Sequence, residues 1–164
     1  SKGGPEFVAG KTPVIENRPY VKFTGELIGT KPLDKPLNMA LDKPTLASES
    51  VEGHSAICAV DGRPETFYQA KFAENCFLQV TPERIVKPKS IRIVFAKEAA
   101  WNFVLECSID QENWTRIADV SGSEKYTEKS FQMDGKYEGL YFRITFKSES
   151  GLPAPSVSEF EIIL

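Results

Sequence analysis

Ala59-Val60-Asp61-Gly62-Arg63-Pro64-Glu65-Thr66-Phe67-Tyr68 is the stretch that decides the reading, taken together with Ser158-Glu159-Phe160 far along the chain. The first segment has the composition of a tight loop rich in oxygen ligands. Asp61 offers a carboxylate and Thr66 a hydroxyl, while Gly62 and Pro64 turn the backbone so that carbonyls can point inward. A hard cation such as calcium takes about six to eight oxygens of this kind. Glu159 would supply a second carboxylate from across the fold. An Asp-Gly pair is also an ordinary turn, so the spacing alone leaves a metal loop and a plain turn both open.

Outward from this loop, the sequence alternates with a period of two. Ile91, Ile93 and Phe95 form one set; Phe103, Leu105 and Cys107 a second; Phe142, Ile144 and Phe146 a third. Each set puts one face of a strand into a core and leaves the other less buried. Phe103, Leu105, Phe142, Ile144 and Phe146 are therefore expected in one core between two sheets. Turn signals recur at Asp61-Gly62, Asp110-Gln111-Glu112-Asn113, Ser121-Gly122-Ser123, Asp134-Gly135 and Ser150-Gly151. No window of helical length holds a 3.6-residue apolar period. Many short strands between regular turns predict an all-β sandwich.

Composition narrows the function. The 164 residues suffice for one ordinary domain and a short extension. With 41% hydrophobic and 11% aromatic residues, the chain can fill a core. The net charge is −3 and no Lys/Arg block stands out, which argues against nucleic acid and against anionic membranes as partners. No apolar run reaches membrane-spanning length. Three cysteines, Cys58, Cys76 and Cys107, leave at least one free thiol. Cys107 reads as a small core residue; whether Cys58 and Cys76 pair stays open. Ser1–Phe7 has the look of a vector-derived leader and is set aside. Residues 8–36, rich in Pro and Lys, read as a linker or the tail of a preceding domain, with one strand-like alternation at Tyr20–Leu27 and a stiff connector at Lys31–Pro36.

Catalysis finds little support. His54 is the only histidine, which removes a multi-histidine zinc site. It is expected to be structural or solvent-exposed. No nucleophile elbow, phosphate-binding glycine loop or distinctive carboxylate pair stands out. Trp114, at a strand start after Asp110–Asn113, is expected to be structural. Trp101, in Ala99-Ala100-Trp101-Asn102, would be either a sugar-stacking platform or a loop anchor.

Asn38–Ser48, the Ala59–Tyr68 loop, Phe77–Val80, Glu106-Cys107-Ser108 with Asp110 and Trp114-Thr115, Leu140–Ile144 and Ser158–Ile162 occur in an order that resembles the discoidin family. This is the coagulation-factor type C (F5/8 type C) domain, and its bacterial branch is carbohydrate-binding module family 32. The resemblance covers residues 37–164 and opens with a strand in Asn38–Ser48. It implies an eight-stranded, jelly-roll-like, galactose-binding-domain-like sandwich. It also implies a structural calcium ion, with side-chain ligands from Asp61, Thr66 and Glu159 and backbone carbonyls from Cys58, Arg63, Thr66 and Ser158. For a sugar site it points to the edge carrying Tyr68, Gln69, Lys97, Trp101 and Asn102, with the loop Gly151–Ala154 beside it. The family's usual histidine, arginine and late aromatic are replaced there by Gln69, Lys97 and the aromatic-free Gly151–Pro155. The implied function is a non-catalytic module that binds the terminal sugar of a glycan for a covalently linked glycoside hydrolase. Such an enzyme would be secreted, periplasmic or on the cell surface of a bacterium, a hexosaminidase or galactosidase being examples. A structural or protein-contact module that has lost the sugar is the alternative.

Overall fold

The alternating segments become strands because each is apolar on one face only, and two such faces bury each other. A computed structural model describes residues 37–73, 75–147 and 152–164. Among them lie nine strands: β1 Thr45–Ala47, β2 Tyr68–Gln69, β3 Phe77–Val80, β4 Ser90–Ala99, β5 Phe103–Ser108, β6 Trp114–Val120, β7 Tyr126–Gln132, β8 Tyr141–Phe146 and β9 Ser156–Ile163. They form a four-stranded sheet ordered β2-β9-β4-β7 and a five-stranded sheet ordered β1-β3-β8-β5-β6. Every strand pairing is antiparallel. The count exceeds the implied eight by one, the shortest being the two-residue β2. The strand expected in Asn38–Ser48 shrinks to Thr45–Ala47. Its first half turns instead, because Asn38 Oδ1 accepts the amides of Ala40 and Ile162, each at 3.0 Å, and Pro44 has no amide to donate.

Phe103, Leu105, Phe142 and Ile144 are wholly buried and Phe146 nearly so, as the alternation predicts. They face Ile91, Ile93, Phe95, Phe160 and Ile162 from the other sheet. Phe95 stacks on Trp101 with ring centroids 5.4 Å apart, and Phe103 meets Phe146 at 5.8 Å. Burying each such side chain is worth about 1.5–3 kcal/mol. Gly139 marks the tightest approach to this core. A Cβ there would lie 2.9 Å from Cys107 Cβ and 3.0 Å from Phe142 Cζ.

All three cysteines are free thiols. Burial pushes the Cys76 and Cys107 thiols up to about 11, so both stay protonated near neutrality. Asp110 closes the β5–β6 turn by accepting the amides of Glu112 and Asn113, both at 2.8 Å. Those bonds hold its carboxyl well below the usual range. Trp114, as expected, is a packing residue: the Arg143 guanidinium lies 4.1 Å over its ring. Tyr20–Leu27, Lys31–Pro36 and Ser150-Gly151 lie outside the described residues. No helix among the described residues is long and apolar enough to cross a membrane.

Candidate functional site

The oxygen-rich loop is set by a short 3-10 turn, Ala56–Ala59, that delivers the chain to Asp61. Gly62 then takes φ +73, a left-handed conformation that favours glycine, and a Cβ there would press on Leu41 Cδ1 at 3.0 Å. The loop closes on itself. Asp61 Oδ1 accepts the Arg63 amide at 3.0 Å, and Asp61 Oδ2 accepts the Thr66 hydroxyl at 2.6 Å. The Thr66 hydroxyl also lies 3.1 Å from the Arg63 carbonyl.

Glu159 reaches this loop from β9. The β9–β4 register slips between Val157 and Glu159, and such a bulge re-aims side chains. Ser156 through Phe160 are consequently all buried, where plain alternation would bury every second residue. Glu159 is only 9% exposed, and its Oε2 has no hydrogen-bond partner. Burial pushes its carboxyl up to about 7; the neighbouring Asp61 and Glu161 charges add to the rise, and an amide bond from Gly62 and the Arg92 charge oppose it. The loop thus gathers Asp61, Thr66 and Glu159.

This donor set suits a hard cation. The Asp61 charge is felt by Glu159, whose Oε2 is buried and unpartnered, while both Asp61 oxygens accept hydrogen bonds within the loop. No three His, Cys, Asp or Glu side chains converge here or elsewhere among the described residues, so a cation at this loop would have two carboxylates at most. Remaining ligands would have to be carbonyls. Of the residues expected to supply them, Cys58 is half-buried, Ser158 is buried with its hydroxyl donating to the Val94 carbonyl at 3.3 Å, and Arg63 turns its guanidinium outward to Glu65 at 3.2 Å.

The expected sugar edge looks different. Tyr68 is wholly buried, and its hydroxyl donates to the Glu49 carbonyl at 2.9 Å. Trp101 is 1% exposed, and its ring is not a platform for a sugar. The indole nitrogen donates to the Lys97 carbonyl at 3.0 Å, while Phe95 and Phe146 cover the ring. With a polar partner and two aromatic neighbours inside the fold, burial outweighs exposure. Asn102 is buried as well, its carbonyl accepting the Lys147 amide at 3.0 Å. Gln69 is half-buried, and its amide donates to the carbonyls of Ala70 at 2.9 Å and Ala154 at 3.3 Å. Of the five, only Lys97 is exposed. His54 stacks on Phe67 at 4.2 Å, a packing role.

Sequence reasoning missed Phe72. It lies in the loop after β2 and is 64% exposed, more than any other large hydrophobic residue described. The chain entering its loop is anchored: the Lys71 amide donates to Glu49 Oε2 at 3.1 Å and the Ala70 amide to the Pro155 carbonyl at 2.9 Å. The available signal was an aromatic placed between Lys71 and Ala73, outside any alternating run.

The described residues thus form a sandwich of two antiparallel sheets. The F5/8 type C domain profile matches residues 45–160, and the chain belongs to that family. No curated protein matches the chain by sequence. Among solved structures, the chain is similar to chitosan-binding module 1 of a chitosanase/glucanase from Paenibacillus sp. IK-5, at 19% identity and TM-score 0.69, covering 78% of this chain and 99% of that one. It is also similar to the Clostridium perfringens module CpGH89CBM32-4 in complex with glcNAc-alpha-1,4-galactose, at 15% identity and TM-score 0.71, covering 83% and 100%. The family 32 module of C. perfringens NanJ in complex with galactose is a third, at 19% identity and TM-score 0.63, covering 74% and 93%. At such identities the likeness is one of fold, and the fold is that of carbohydrate-binding modules.

Proposed function

We propose that the chain is a non-catalytic carbohydrate-binding module that holds a covalently linked glycoside hydrolase at its glycan. Residues 37–164 would be the module, and residues 1–36 a vector-derived start followed by a linker or the tail of a preceding domain. The parent enzyme would work outside the cytoplasm, where glycans are met. The observation that carries the reading is the family sandwich with Phe72, the one well-exposed aromatic among the described residues, in the loop after β2. A flat ring there suits stacking on a pyranose, and Lys97, exposed near the end of β4, can donate to hydroxyls. One sugar on a shallow surface makes few contacts, so affinity should be on the order of millimolar. Tethering makes that sufficient by raising the local concentration of enzyme.

A glycan array followed by calorimetry tests this. Phe72→Ala should abolish binding and leave the melting temperature unchanged. If no glycan binds at millimolar concentration, the structural or protein-contact reading replaces it; the internal positions of Tyr68, Trp101 and Asn102 favour that second reading.

The same proposal includes one structural calcium ion. Asp61, Thr66 and Glu159 would hold it, with carbonyls of Cys58, Arg63, Thr66 and Ser158. The ion would neutralise two carboxylates that otherwise repel. Calcium should therefore raise the melting temperature and a chelator lower it, because a ligand bound only to the folded state stabilises it. A melting temperature indifferent to both would remove the ion.

A further inference from the structure

β4 runs from Ser90 to Ala99. Lys97 lies near its end and Lys89 directly precedes its start, so the two are roughly 25 Å apart. At the Lys89 end a groove of about 490 Å³ opens between the β3–β4 connection, the turn after β7 and the end of β9. That volume falls within the range of about 300–1,000 Å³ typical of small-ligand sites. Arg84, Lys87 and Lys89 line it beside one acidic side chain, Asp134. Ile85 and Leu164 add apolar surface, 49% and 39% exposed.

The backbone beneath these side chains is pinned. Val86 and Gly139 exchange both amide bonds, at 2.9 and 3.0 Å. The Lys89 amide donates to the Ile163 carbonyl at 2.7 Å, and the Lys89 carbonyl accepts the amides of Met133 at 2.8 Å and Asp134 at 3.0 Å. Val86 and Met133 anchor the two walls in the core. Elsewhere on the surface, Arg63, Arg92, Arg116 and Lys147 pair with carboxylates, while scattered lysines such as Lys97 and Lys125 do not among the described residues; the groove differs in lining one concavity with three cations. Among the described residues, no carboxylate forms an ion pair with Arg84, Lys87 or Lys89. A chain of net charge −3 thus gathers three unpaired cations around one concavity. Such a concavity focuses positive potential.

We propose that this groove is a second binding site, for an acidic oligosaccharide. Its carboxylates would meet the three cations, and a pyranose face would lie on Ile85 and Leu164. The proposal rests on the reading of the chain as a glycan-binding module, but it uses the Lys89 end of β4 and a ligand of opposite charge to the groove.

The full chain titrated at low salt with tetragalacturonate, neutral maltotetraose and tetraglutamate tests it. Tetragalacturonate should bind, and the other two should not compete. Arg84→Gln combined with Lys87→Gln should weaken that binding about tenfold with an unchanged melting temperature, since both side chains are exposed. About 0.5 M salt should weaken it as well. Phe72→Ala should leave it intact. Equal binding of maltotetraose or tetraglutamate, an unaffected double variant, or no binding of tetragalacturonate overturns the groove. If Phe72→Ala abolishes acidic binding, the ligand sits at the Phe72 loop and the groove proposal fails. Neutral glycans binding in a Phe72-dependent way while tetragalacturonate does not would sink the groove and leave the module reading standing.

Discussion

Trp101 and Phe72 occupy opposite environments although both are loop aromatics. Trp101 is sealed between Phe95 and Phe146, whereas Phe72 projects into solvent. Trp101→Ala should therefore cost about 3–5 kcal/mol of stability, read as a shift in the denaturant midpoint. A near-neutral effect would mean that the ring is not the loop's anchor. Glu159 gives a pH-dependent expectation. Its folded-state carboxyl sits at about 7, above its ordinary 4.5, so the metal-free folded state holds the proton more tightly than the unfolded state does. Stability without metal should fall as pH rises from about 4.5 through about 7 and then level off. The proposed calcium ion would need the ionised carboxylate, so its stabilising effect should grow across that same window. Melting temperatures in calcium and in chelator, compared at about pH 5 and about pH 8, should differ more at the higher pH. A difference independent of pH would take Glu159 out of the ligand set.

At the scale of elements, strand positions follow from alternation, because one-sided burial repeats every second residue regardless of what lies opposite. The β9 bulge also left a trace in the sequence. Val157 is buried in one phase and Phe160 and Ile162 in the other, so the apolar phase slips within three residues. That slip is what brings Glu159 to the Asp61 loop. The bridge between Val86 and Gly139 depends on a missing side chain. Gly139→Ala would force Cys107 or Phe142 to move, and a destabilisation of about 1–3 kcal/mol is expected in chemical unfolding. A wild-type midpoint would show that the strands around Gly139 can part without loss.

For the whole molecule, no disulfide ties the two sheets together, all three cysteines being free. Adding reductant should leave the melting temperature unchanged; a drop would reveal a disulfide that the three free thiols of this structure do not form. The sequence by itself determined the all-β class, the five core residues between the sheets, the turn positions among the described residues and the Asp61-Gly62 loop with Thr66. These are properties of local periodicity and of residues with restricted or permissive backbones, and they need no knowledge of distant partners. Tertiary structure alone decided which loop aromatic faces outward. Trp101 is buried by Phe95, six residues before it, and by Phe146, on another strand. It also decided that Arg84, Lys89, Asp134 and Leu164 share one groove. Loop side chains follow no period, and their exposure depends on which distant segments fold against them, so neither outcome is written in the neighbouring residues.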